Sequence, residues 1–193
     1  MAMLLALGAA TASALDPPAP RQIIAFPASV VMAEPSKLIG DFELVDQEGN
    51  PFRFSGLRGR PVLVFFGFTH CPDVCPATLV KMRLLADSVA QDFDLAIVMI
   101  SVDGDRDKPA ALKTYLAQVS TRFVGLTGNP RTVGEIAAQF PAVFFKGLAD
   151  HPGSAYSVQH TSQVYLIDRD GRLRAAFYDA PVESMEQVLR DIK

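Results

Sequence analysis

The sequence predicts an α/β fold in which a mixed β-sheet is flanked by helices. Short, unbroken apolar runs alternate along the chain with longer segments that carry a single apolar stripe. The first pattern is typical of strands buried on both faces, and the second of helices packed on a sheet. Hydrophobic residues make up 49% of the 193 residues and charged residues 20%, which is enough for one packed domain with a tail.

The first elements form a predicted β-hairpin. Residues 42–46 and 51–54 have the composition of short strands, and the residues between them include Gly49 and Asn50. Glycine and asparagine tolerate a positive φ, which tight turns between antiparallel strands require. The ordered domain is therefore expected to begin with an N-terminal β-hairpin, close to Gly40.

The elements that follow alternate between strand and helix. They are a strand over 61–67, a helix over 76–89, a strand over 95–102, helices over 108–119 and 129–141, strands over 163–167 and 173–178, and a helix over 181–192. Pro109 and Pro130 suit the first turns of their helices, because a first-turn N–H needs no helical partner. Right-handed β-α-β crossovers followed by a closing hairpin predict a thioredoxin-like arrangement.

The N-terminal region resembles an export signal. Residues 1–15 are uncharged and apolar, and they end near Ala12-Ser13-Ala14, a small-x-small triplet that suits cleavage. We therefore expect a signal peptide or short anchor over residues 1–15, with a membrane tether as the alternative to cleavage. A proline-rich linker is expected over 16–39, and the folded domain over 40–193.

Charge and cysteine content exclude several classes of function. The formal net charge of −3 offers no basic face, so we expect no nucleic-acid partner. Two cysteines are too few for a disulfide-stapled miniprotein or for a four-cysteine zinc site. The chemistry of the chain is therefore expected at Cys71 and Cys75.

Both cysteines lie between a predicted buried strand and a predicted helix, where reactive groups collect in α/β sheets. A helix N-terminus is expected to lower a thiol pKa and favour thiolate, which binds soft metals and attacks disulfides. The C-x-x-x-C spacing is one residue longer than the C-x-x-C of thioredoxin-type oxidoreductases. Metal binding and redox chemistry both remain open, and a purely structural disulfide is disfavoured because so short a loop gains little from closure.

The segment around the cysteines resembles the signature of the Sco/SenC copper-chaperone family. Its sequence, residues 66–76, is FGFTHCPDVCP. Three further stretches resemble that family in the same order: SVDGDRD at 101–107, FVGLTG at 123–128 and QHTSQVYLID at 159–168. The resemblance covers residues 40–193.

The resemblance implies a copper ligand set of Cys71, Cys75 and His160, with a Cys71–Cys75 disulfide as the oxidised form. Copper is expected as Cu(I), Cu(II) or both. A role in tuning the site or docking a partner is expected for the polar residues His70, Asp73, Asp103, Arg106 and Asp107. His151 lies in a turn-forming stretch and is expected to be solvated.

The resemblance also implies a non-enzymatic copper chaperone. Its expected partner is the copper-binding subunit of cytochrome c oxidase, at the dinuclear copper centre, or another copper chaperone. The expected location is the periplasm, or the inner membrane facing it. The alternative function is a thiol–disulfide oxidoreductase that reduces the cysteines of a copper-accepting partner. That activity needs Cys71 and Cys75 but not His160.

Overall fold

The computed structural model describes residues 29–147 and 156–192. The export signal or anchor expected over residues 1–15 lies outside these ranges. Within them, no helix is both long enough and apolar enough to cross a membrane.

The described part of the chain contains ten strands and four α-helices. The strands are β1 (Val30–Leu38), β2 (Glu43–Asp46), β3 (Pro51–Arg53), β4 (Val62–Gly67), β5 (Ala96–Ser101), β6 (Val124–Thr127), β7 (Phe144–Lys146), β8 (Val158–His160), β9 (Val164–Ile167) and β10 (Arg172–Phe177). The helices are α1 (Val74–Ser88), α2 (Pro109–Ala117), α3 (Pro130–Ala137) and α4 (Val182–Asp191).

Eight strands form one mixed sheet in the order β1-β10-β9-β4-β5-β6-β2-β3. Strands β4, β5 and β6 run parallel, and the other neighbours pair antiparallel. The predicted hairpin is β2–β3, and β2 joins the sheet through β6. The prediction of a thioredoxin-like mixed sheet flanked by helices is confirmed.

The centre of the sheet is the most deeply buried part of the fold. Every residue of β4 and β5 is buried, and the two strands pair in parallel from Val62 opposite Ala96 to Gly67 opposite Ser101. These are the two continuous apolar runs that the sequence predicts as buried strands. The cysteine segment follows β4 directly after Gly67. It is therefore joined to the most deeply buried part of the fold.

Part of the predicted linker is instead a strand. The prediction of a linker over residues 16–39 is wrong for Val30–Leu38, which form β1 and pair with β10 at the edge of the sheet. Residues 16–28 lie outside the described residues. The four apolar residues of β1, 30–33, are followed by the polar and proline-containing residues 34–37, and most of the strand is half-buried or exposed. Its strand conformation depends on pairing with β10, a long-range contact that local sequence does not encode.

Three other strands, β6, β7 and β8, are also absent from the predicted elements. Each has only three or four residues, too few for an apolar period to be recognised. Helix boundaries differ as well. Helix α1 begins at Val74, two residues before the predicted start, α2 ends at Ala117, two residues before the predicted end, and α3 ends at Ala137, before the predicted end at residue 141.

Candidate metal centre

Three predicted ligands meet at one end of the sheet. Cys71 lies in the turn after β4, Cys75 in the first turn of α1, and His160 at the end of β8. One potential ligand atom from each of these side chains lies within 4.8 Å of the other two. His160 Nε2 is 3.5 Å from Cys75 Sγ, and the Cys75 backbone N–H donates to Cys71 Sγ at 3.4 Å. Two sulfurs and one imidazole nitrogen are a donor set that suits copper, above all Cu(I).

The early start of α1 determines where Cys75 lies relative to the helix. Because the helix begins at Val74, Cys75 lies inside its first turn, and Pro76 is tolerated there without a lost hydrogen bond. Gly67 provides the space behind Cys75. A methyl carbon at residue 67 would lie only 3.2 Å from Cys75 Sγ. The sulfur therefore packs directly against the end of β4.

A backbone hydrogen bond orients the imidazole of His160. Its Nδ1 lies 2.9 Å from the carbonyl oxygen of Thr161, which can only accept. The proton is therefore on Nδ1, and Nε2 directs its lone pair towards Cys75. The rings of Phe65 and Phe68 contact the imidazole edge-to-face, with centroids 6.0 and 5.6 Å away. Thr161 is not among the predicted site residues, although its position next to His160 is a usable signal.

Burial changes the expected acidity of the Cys75 thiol. The side chain of Cys75 is fully buried, and Cys71 is 9% exposed. Burial, followed by the hydrogen bond with Cys71, raises the pKa of the Cys75 thiol well above its usual range. The expectation that the helix N-terminus makes Cys75 a thiolate is therefore wrong for the metal-free protein. Burial also lowers the pKa of His160, which keeps the imidazole neutral and able to bind a metal.

Asp107 orders the chain just before Cys71. Its carboxylate is fully buried and accepts hydrogen bonds from the Thr69 backbone N–H at 2.9 Å, the Thr69 hydroxyl at 2.6 Å and the Ser101 hydroxyl at 2.7 Å. A buried carboxylate with these donors ties the cysteine turn to the end of β5. The role expected for Asp107 in tuning the site or docking a partner stays a prediction, and in this conformation its carboxylate is not exposed to solvent.

Asp103 is also fully buried, and it forms an ion pair with Arg106. This ion pair links two residues of the loop that follows β5. His70 is more than half exposed. Its Nδ1 lies 3.0 Å from the Thr69 hydroxyl and faces the Asp107 carboxylate. Asp73 is exposed between the cysteines. Neither His70 nor Asp73 belongs to the three-residue cluster, and His151 lies outside the described residues.

Comparison with known families agrees with this geometry. The family model described as SCO1/SenC matches residues 30–193, which is most of the chain. The chain belongs to the SCO1/SenC family. The match begins at Val30, the first residue of β1, rather than at residue 40.

Individual relatives extend the comparison. The SCO2-like protein of Rickettsia conorii is 39% identical over 153 residues, 78% of this chain and 75% of the relative. The copper-bound structure of Bradyrhizobium japonicum ScoI is 35% identical with a TM-score of 0.70, covering 79% of this chain and 98% of that one. BsSco, a member of the Sco family of cytochrome c oxidase assembly proteins in which a disulfide switch was identified, is 25% identical with a TM-score of 0.65, covering 81% and 93%.

Proposed function

We propose that this protein binds one copper ion through Cys71 Sγ, Cys75 Sγ and His160 Nε2. The observation that carries the proposal is the convergence of these atoms within 4.8 Å, with Nε2 unprotonated and facing the sulfurs. The copper-bound relatives support the choice of ion. The high pKa of the Cys75 thiol means that copper must displace its proton, so binding is expected to release protons to solvent.

We further propose that the bound copper is cargo, delivered during assembly of the dinuclear copper centre of cytochrome c oxidase. The residues between the two cysteines, Pro72, Asp73 and Val74, are all exposed. A partner can therefore approach the ion from the side of this loop and take it by stepwise exchange of ligands. Oxidation of the two thiols to a Cys71–Cys75 disulfide removes two electrons and two protons, and it would abolish both sulfur ligands.

The test is an anaerobic Cu(I) titration of the reduced protein against a chromophoric competitor. We expect one tightly held ion per chain. The variants Cys71→Ala and Cys75→Ala should each weaken binding by at least about 100-fold, because loss of a ligand costs more than loss of an outer contact. A Ser88→Ala variant, in α1 but three turns beyond Cys75, is the matched control and should bind as the parent does. Unchanged affinity in both cysteine variants would overturn the proposal.

The same two sulfurs support a second candidate function, reduction of a disulfide in a copper-accepting partner. The sulfurs lie close enough to form a disulfide after a small movement, and Cys71 is the more exposed of the two. Attack by Cys71 on the partner disulfide, followed by attack of Cys75, would leave the partner as a dithiol and this chain as a disulfide. The raised pKa of the Cys75 thiol disfavours the second attack.

His160 distinguishes the two functions. The His160→Ala variant should lose copper affinity but keep any disulfide-reductase turnover. Turnover that persists in this variant, together with copper binding that is indifferent to His160, would favour the reductase. Weakened copper binding without measurable turnover in the parent would favour the chaperone.

We also propose that the protein acts in the periplasm, either released or tethered to the inner membrane. The apolar, uncharged run over residues 1–15 and the small-x-small triplet at 12–14 support this location. A fusion of the full chain to alkaline phosphatase, which is active only after export, tests it. An inactive fusion that is nevertheless expressed at a normal level would contradict export.

A further inference from the structure

The strand that carries His160 does not belong to the central sheet. Strands β7 and β8 form a separate two-stranded sheet, with Phe144 opposite His160 and Lys146 opposite Val158. An isolated pair of such short strands is marginal by itself in water. The hairpin must therefore be held by contacts to the rest of the protein, and those contacts determine where the imidazole lies.

One end of the hairpin is attached to a single buried carboxylate. Asp103 follows β5 at the same end of the sheet as the cysteines, and its side chain is fully buried. The Tyr156 hydroxyl, two residues before β8, donates to Asp103 Oδ1 at 2.5 Å. Lys146 Nζ, at the end of β7, lies 3.4 Å from the same oxygen. Asp103 thus binds both sides of the hairpin at once.

Arg106 completes this attachment. Its Nε donates to the other oxygen of Asp103, and its guanidinium also reaches the carbonyl oxygen of Tyr156 at 3.4 Å. The guanidinium carbon lies 4.0 Å from the centroid of the Tyr156 ring, and Lys146 Nζ lies 5.0 Å from it. The Tyr156 ring is thus in contact with two cations while its hydroxyl donates to a carboxylate.

The opposite end of the hairpin carries the metal ligand. His160 is four residues after Tyr156, and the two are joined through β8, whose length leaves little freedom between them. Besides its bond to Thr161, the imidazole contacts β4 and the cysteine segment: it forms a hydrogen bond with the backbone of Phe66 and lies 3.5 Å from Cys75 Sγ. The edges of Phe65 and Phe68 complete these contacts. The Asp103 attachment fixes the other end of β8, so it contributes to the distance between Nε2 and the sulfurs.

We propose that Tyr156 is a positioning residue for copper binding: its hydrogen bond to Asp103 anchors the β7–β8 hairpin so that His160 meets Cys71 and Cys75. This inference rests on the proposed copper site and assigns a residue that does not touch the ion. Loss of the hydroxyl leaves the tyrosine ring between Arg106 and Lys146 but removes the hydrogen bond from β8's side of the hairpin to Asp103, so that Lys146 and Arg106 alone link the hairpin to this carboxylate. The imidazole then spends less time within reach of the metal.

The test is a double-mutant cycle measured by Cu(I) competition with full-length reduced protein. Four proteins are compared: the parent, Tyr156→Phe, His160→Ala and the double variant. We expect Tyr156→Phe to weaken Cu(I) binding by roughly 10-fold when His160 is present. This is the lower end of the loss in metal affinity that is usual when a residue supporting a metal ligand is changed. In the His160→Ala background, the same change should have almost no effect, because no imidazole remains to be positioned.

Tyr178→Phe is the matched control. Tyr178 is about half exposed, lies just after β10 and has no contact with the Asp103 cluster among the described residues, so it should bind copper as the parent does. Circular dichroism of each variant verifies the fold. Nitrogen hyperfine coupling in the Cu(II) electron paramagnetic resonance spectrum reports whether the imidazole is still bound, which a general loss of stability would not change.

The outcomes separate this inference from the proposed function. Equal losses of affinity for Tyr156→Phe with and without His160, or no loss in either, would overturn the positioning role while leaving the copper site intact. A parent protein whose affinity does not depend on His160 would overturn the ligand set itself, and with it any role for Tyr156.

Discussion

The turn that carries the cysteines and the hairpin that carries His160 are held by different kinds of interaction. The cysteine turn continues β4, and the buried Asp107 carboxylate fixes it to the end of β5. The hairpin lies outside the central sheet and is attached through side chains, with Asp103 as the main anchor. The two cysteine ligands are thus part of the core, while His160 is positioned beside them by the side-chain contacts of the hairpin.

This difference suits the proposed role, in which the protein holds a copper ion and then releases it. A site made only from core residues would be rigid, and each step of ligand exchange would then disturb the packing of the fold. A peripheral ligand can be withdrawn at the cost of a few polar contacts. We therefore expect His160 to exchange before either sulfur during transfer. The predictions below compare the two regions, starting with the largest effect.

The largest effect is expected in the core beneath the cysteine turn. Leu79, one turn after Cys75 in α1, is fully buried. Leu79→Ala should lower the free energy of unfolding by about 2–5 kcal/mol, because it leaves a cavity that the surrounding side chains fill only in part. Urea denaturation of the metal-free protein measures this. A loss below about 1 kcal/mol would contradict the assignment of this turn to the rigid core.

The next effect concerns the contact between β4 and Cys75. The added methyl group of Gly67→Ala would lie 2.6 Å from Phe65 Cε1, 3.2 Å from Cys75 Sγ and 3.3 Å from Met99 Cε, so the Phe65 ring and the sulfur must both move. Overpacking of this kind costs about 1–3 kcal/mol. The displaced sulfur should also weaken Cu(I) binding. Gly134→Ala is the matched control, since a methyl group there meets no atom within 4 Å. Equal copper affinity in both variants would show that Gly67 does not position Cys75.

The third effect is a pH dependence that arises in the hairpin. Burial lowers the pKa of His160 in the folded protein below its usual value of 6.5. The unfolded chain therefore binds a proton at a higher pH than the folded chain does. Stability of the metal-free protein should fall as the pH is lowered through about 6.5, by less than about 1.4 kcal/mol per pH unit for one group.

Urea denaturation at several pH values between 7.5 and 5 measures this dependence. The His160→Ala variant should have a flatter profile, because it lacks the group that takes up the proton on unfolding. His70→Ala is the control, because His70 is largely exposed to solvent. An unchanged slope in His160→Ala would mean that burial of the imidazole does not destabilise its charged form.

The smallest effect is expected on the outer face of the hairpin. The side chain of Phe145, in the centre of β7, is 58% exposed. Phe145→Ala should change the free energy of unfolding by less than about 0.5 kcal/mol, the usual range for exposed positions. Measured beside Leu79→Ala, it gives the contrast between core and hairpin directly. A loss comparable with that of Leu79→Ala would mean that the hairpin contributes to the core.

Local sequence determined the centre of this protein. The apolar runs of β4 and β5 predict buried strands because no charged residue interrupts them, and the C-x-x-x-C segment places both sulfurs where β4 meets a helix. The turn at Gly49 predicts the β2–β3 hairpin for an equally local reason, the positive φ that glycine adopts there.

Tertiary structure decided the rest, because those features depend on residues far apart in the chain. Strand β1 exists through pairing with β10, and β7 and β8 through each other. The pKa of Cys75 is raised by burial, which depends on what packs over the thiol rather than on its place in a helix. The position of His160, 85 residues after Cys75, depends on an anchor at Asp103 that no spacing in the sequence reveals.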